Sequence, residues 1–133
     1  MSNKSKKILI EVSSGELLDK ISILEIKLEK IKDKNNLNEI NKEYKMLKQT
    51  QNSNLKITDK IEKLFKEIKE VNTNLWNIED NLRICEKNKD FGKNFIELAR
   101  GVYLNNDKRS KIKSEINKLL GSNIKEVKQY VNY

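Results

Sequence analysis

From Ile57 to Cys85 the apolar side chains fall at Ile57, Ile61, Leu64, Ile68, Val71, Leu75, Ile78, Leu82 and Cys85, in alternating steps of four and three without an error. That spacing keeps one stripe on one side of an α-helix and fits neither a strand nor a loop. It corresponds to about 40 Å of helix at a rise of roughly 1.5 Å per residue. The chain has no proline and only four glycines, so the backbone sets no limit on helix length. A segment of this kind must bury its seam against other helices.

The rest of the chain supplies them. Ser13 followed by Glu16 is a capping-box pattern, and Leu17, Ile21, Leu24, Leu28 and Ile31 continue it at heptad spacing. Leu18, Ile23 and Ile26 widen that face beyond a two-stranded zipper. These signals predict helices over 14–33, 37–49, 56–88 and 91–120, with Thr50–Asn54 as a polar turn and Gly121 as a C-cap. Residues 7–12, KILIEV, predict a short strand or an extended arm, and residues 122–133 a tail that docks back. The expected fold is all-α: an antiparallel helical bundle with a long coiled-coil-like hairpin, forming a single domain.

Composition narrows the chemistry. There is no histidine and a single cysteine, which removes His-based catalysis, internal disulfides and the common zinc sites. The only apolar run near the N-terminus, Ile8–Ile10, is too short for a signal peptide or a membrane span, so we expect a cytoplasmic protein that does not enter a membrane. The net charge of +8 comes from Lys and Glu interleaved as on solvated helix faces. Only residues 108–128, with seven basic side chains against two acidic ones, resemble a phosphate-facing patch. Solubility explains the charge better than nucleic-acid binding does.

One window differs in kind. Residues 71–109 hold the only Trp (Trp76), the only Cys (Cys85), the only Ala (Ala99) and all three arginines, Arg83, Arg100 and Arg109, in a chain with 25 lysines. Arginines kept against so strong a lysine bias point to a need for a planar fork of donors. Within this window the seam of the fourth helix, Phe95, Leu98, Val102, Asn105, Arg109, Ile112, Ile116 and Leu119, turns polar at two consecutive positions. A buried Arg109 needs partners. Asn72, Trp76, Glu79, Arg83 and Glu86 form a stripe beside the seam of the third helix, with Glu97 and Arg100 on the fourth and Asp19, Ser22 and Glu25 on the first within reach. The candidate ligand-binding set is therefore Arg83, Arg100, Arg109, Asn105, Glu79, Glu97 and Trp76, with no metal ligands assigned. The same residues also read as a buried ion-pair network that fixes helix register. Trp76 and Cys85 read more simply as core or interface residues, and Asp90-Phe91-Gly92 lacks every companion motif of a kinase.

Three blocks carry a resemblance: GELLDKISILEIKLEKI (15–31), LWNIEDNLRICE (75–86) and DFGKNFIELARGVYLNNDKRSKIKSEIN (90–117). They resemble an uncharacterised family of small bacterial proteins, a domain of unknown function, whose members open with a GELLDK-type stretch and close with an ND-x-R-x-x-IK-x-x-IN stretch. The resemblance spans nearly the whole chain outside the lysine-rich region near 33–65. It implies that the informative blocks are the first-helix opening and the third and fourth helices, and it implies no reaction.

Two functions fit these observations. The first is a non-catalytic helical interaction module that forms a homo-oligomer, a dimer in its simplest form, and binds a protein partner without a cofactor. It predicts that Asn105 and Arg109 are satisfied inside the bundle with no solvent-connected cavity beside them. The second is a small all-α enzyme or sensor for an anionic phosphate or carboxylate metabolite, with Mg²⁺ as an optional cofactor held by Glu79, Asp80 or Glu97. It predicts a cavity reached by at least two of the arginines.

Overall fold

A computed structural model describes residues 6–133. Four helices follow one another: α1 (Ser14–Lys30), α2 (Lys34–Asn54), α3 (Asp59–Lys87) and α4 (Lys93–Leu119). Among the described residues there is no strand, and residues 6–13, which include the KILIEV run, form an arm without regular secondary structure.

Side chains set most of the helix ends. Ser13 Oγ accepts from the Glu16 amide at 3.1 Å, but the Glu16 carboxylate reaches Lys113 on α4 and does not close a capping box. Asp33 Oδ1 accepts from the amides of Asn35 and Asn36, so α2 begins at Lys34, three residues ahead of expectation. The polar run Thr50–Asn54 is helix and not a turn. Thr50 Oγ1 donates to the Met46 carbonyl, Asn54 Nδ2 donates to the Thr50 carbonyl, and Gln51 is buried. Thr58 caps α3 by accepting from the Ile61 amide, which leaves Ile57 outside the helix. At its far end the Asp90 amide donates to the Cys85 carbonyl, with Lys89 in the left-handed region at φ 55°. Gly121, at φ 61°, takes the same place after α4, and the Ser122 amide donates to the Asn117 carbonyl.

The helices form two antiparallel hairpins, with α1 lying across the second. Lys60 pairs with Glu115, and Gly101 abuts Ile78, which fixes α3 and α4 head to tail. Gly15 donates its amide to Asn117 Oδ1 at 2.6 Å and Arg109 meets Asp19, so α1 runs antiparallel to α4. A Cβ on Gly15 would lie 2.6 Å from the Lys113 carbonyl oxygen, so only glycine permits this approach. Since α1 touches all three other helices, Leu17, Leu18, Ile21, Leu24 and Ile26 are all buried, which accounts for its broad apolar face. Leu17, Leu18 and Ile21 close the central core with Ile61 and Ile116. Their full burial contributes roughly 1.5–3 kcal/mol each. At about 25 Å, α1 is far shorter than α3, at about 43 Å. The outer end of the α3–α4 hairpin leaves Ile84, Phe91 and Ile96 about half exposed.

Candidate ligand cleft between α1, α3 and α4

Asn72, Leu75, Trp76, Glu79, Asp80 and Arg83 recur at helical spacing and form one stripe along α3. Where α1 ends beside that stripe, an open cleft of about 310 Å³ forms. Ile23 and Ile26 of α1 and Arg109 of α4 complete its lining. The floor is apolar and the polar groups converge from two sides, the usual make-up of a small-molecule site.

Behind Arg109 and Asn72 lies a buried ion cluster centred on Asp19, whose side chain is 0% exposed. Arg109 grips it with two parallel hydrogen bonds, Nε to Oδ1 at 3.0 Å and Nη2 to Oδ2 at 2.6 Å. Asn72 Nδ2 donates to Asp19 Oδ1 and to Ser22 Oγ, both at 2.8 Å. Lys113 adds its ammonium 3.7 Å from Asp19, 2.7 Å from Glu16 and 3.3 Å from Glu126 of the tail. The hydrogen bond to Asp19 is the main influence raising the Arg109 pKa, against the pull of burial. Burial pulls the Lys113 ammonium down, but its bond to Glu16 and the charges of Asp19, Glu16 and Glu126 raise it overall. Both cations therefore hold their charge at neutral pH.

On the outer wall Arg83 uses Nη1 for Glu79, one helical turn away, and keeps Nε and Nη2 without a protein partner among the described residues. Arg109 likewise keeps Nη1. The cleft is thus lined by two arginines with unengaged guanidinium donors, by Trp76 and by the carboxylate residues Glu79 and Asp80.

Four of the seven residues singled out from the sequence meet at this cleft: Arg83, Arg109, Glu79 and Trp76. Arg100 and Glu97 do not line it. They pair with each other along exposed α4, because the turn that points Gly101 at Ile78 directs its neighbour elsewhere. Asn105 donates back to the Gly101 carbonyl in its own helix, and its Oδ1 is buried without a partner among the described residues. Glu25 reaches Lys69 and Tyr44, and Glu86 reaches Lys89, so neither joins the site. Lys113 carries no signal of its own in the sequence, being one of 25 lysines. Among the described residues no three His, Cys, Asp or Glu side chains gather into a metal-holding group, and no helix is long and apolar enough to cross a membrane.

A family model described as "Family of unknown function (DUF6165)" matches residues 8–133, so the chain belongs to that family. No curated protein and no solved structure matches it significantly.

Proposed function

We propose that the protein binds a small anionic metabolite, a phosphate or carboxylate, in the cleft between α1, α3 and α4. The observation that carries this is the convergence of Arg83 and Arg109, each with unengaged donors, on one solvent-open cleft beside the only tryptophan. A guanidinium fork matches an oxyanion in plane and charge. Trp76 suits the apolar or planar body of the ligand, and Glu79 and Asp80 can accept from its hydroxyl or amino groups. A register-fixing ion pair alone would need Asp19 and Arg109 but not an open cleft with a second arginine across it.

The test is a thermal-shift panel of inorganic phosphate, nucleotides, sugar phosphates and dicarboxylates, with and without Mg²⁺. A ligand at a hundred times its Kd stabilises the native state by about 2.7 kcal/mol. One anion class should raise the melting temperature by several degrees in the wild type and not in Arg83→Met. Arg83 is 72% exposed in its side chain, so its loss leaves the fold intact. A flat panel removes this reading.

A second reading, a helical module that binds a protein partner, is favoured by Ile84, Phe91 and Ile96 standing exposed at the outer end of the α3–α4 hairpin. Pull-down and sedimentation with Ile84→Lys and Ile96→Lys test it. Partner binding that survives both substitutions would discard it.

A further inference from the structure

Among the described residues, the N-terminal arm and the C-terminal tail carry no regular secondary structure. In the arm, Ile8, Leu9 and Ile10 are 88%, 88% and 77% exposed. In the tail, Val127 and Val131 are about 90% exposed, with Tyr130 and Tyr133 close behind. Among the described residues, 6–12 and 123–133 make no backbone–backbone hydrogen bond; the nearest are Leu17 to the Ser13 carbonyl and Ser122 to the Asn117 carbonyl. Both lie within the span matched by the family, 8–133. Three consecutive aliphatic residues on an unpaired extended backbone form a template for strand addition.

The tail is already fixed in place. Glu126 bonds Lys113, and Tyr133 bonds Asp107 while stacking edge-on against Tyr103. It therefore runs as a strap along α4, with residues 127–132 stretched between two anchors over a hollow of about 1170 Å³. We propose that this strap receives the arm of a second copy of the chain as an antiparallel strand, and that the exchange is reciprocal and builds a two-fold dimer.

Pattern and charge select the partner and the register. With Ile8 opposite Val131, one face pairs Ile8 with Val131, Ile10 with Gln129 and Val12 with Val127. The other face pairs Leu9 with Tyr130 and Glu11 with Lys128. The chain's own arm cannot make these pairs. Ser14 donates to Ser122 Oγ, and Asn123 donates to Glu11, which holds Glu11 five residues, about 17 Å of extended chain, from Lys128. The register that the Ser14–Ser122 bond sets within one chain would place Ile8 opposite Lys128 and Ile10 opposite Glu126, while pairing Leu9 with Val127 and Glu11 with Lys125. Reciprocity follows because each copy carries one arm and one strap, the condition for an isologous interface.

Cysteine pairing in full-length chains tests the exchange. Leu9→Cys and Tyr130→Cys chains are prepared separately, mixed and mildly oxidised, with the folds checked by circular dichroism. The native Cys85 is buried and serves as a silent background. The expected result is a covalent dimer in the mixture and in neither chain alone. Cross-linking of Leu9→Cys with itself would mean arm-to-arm pairing and overturn the proposal. So would a double variant that closes only within one chain, or a mixture that stays monomeric. Sedimentation gives a second readout: Glu11→Lys should weaken dimerisation on the order of tenfold, since two symmetry-related cross-strand pairs become repulsive, and adding Lys128→Glu should restore it. A wild-type chain that sediments as a monomer at all concentrations would also overturn the proposal.

Discussion

Replacing Arg109 by methionine strips the fully buried Asp19 carboxylate of its two best donors, at 3.0 and 2.6 Å. Asn72 at 2.8 Å and Lys113 at 3.7 Å remain, so the charge is weakened in its support and not abandoned. Removing one member of a buried pair costs roughly 3–5 kcal/mol. The Arg109 side chain is 29% exposed, and solvent screening places the loss at the lower end, about 3 kcal/mol. With an unfolding entropy of about 2.1 cal/mol/K per residue, a chain of this length should melt about 10 °C lower. Calorimetry on Arg109→Met reads this directly. Arg109→Lys should fall between the two, because a point charge keeps attraction without the fork. The double variant Asp19→Leu with Arg109→Met should recover more than half of the loss, since it removes both charges together and Lys113 keeps Glu16 and Glu126. A single Arg109→Met variant melting within about 3 °C of the wild type would refute the reasoning.

Three further outcomes follow from particular atoms. Gly15→Ala should destabilise by about 1–3 kcal/mol in urea titrations, because its Cβ meets a backbone carbonyl that cannot move aside, whereas Gly101→Ala meets only the flexible end of Ile78 and should be neutral or stabilising. Lys89→Gly should stabilise by about 0.5–1 kcal/mol by relieving a left-handed non-glycine residue, as measured by the same titration. Glu126 is held below its ordinary value of 4.5, first by its hydrogen bond to Lys128 and then by Lys113. A depressed carboxylate contributes stability above that value and loses it as pH falls through the lowered native value. The melting-temperature gap between wild type and Glu126→Gln should therefore be full at neutral pH and close in acid. A gap independent of pH would show that the tail clamp is not ionic.

The helix seams were legible because a four-three alternation survives any local drift in composition. The ends of α2 were not. Thr50 and Asn54 favour turns and caps by type, yet both bond back to their own helix, and Gln51 between them is buried. Asp33, the last residue of the span expected for the first helix, is instead the N-cap of α2. The break in the α4 seam at Arg109 falls where the structure has a buried ion pair with Asp19, and Trp76, Glu79 and Arg83 of the α3 stripe line the cleft beside it. The partner of Arg109 is Asp19, named only among the lesser candidates, because heptad spacing on two helices does not say where a third crosses them. Arg100 and Glu97 stood out by residue type and window alone, and the rotation of α4 sets them outside the cleft.

Trp76 is the chain's only tryptophan and lines the cleft, so its emission reports on that site alone. The most direct measurement is a fluorescence titration with the anion that most raises the melting temperature. The account predicts a saturable change in intensity or wavelength that is lost in Arg83→Met. A stabilising anion that leaves Trp76 emission unchanged, or one whose effect persists in Arg83→Met, would contradict it.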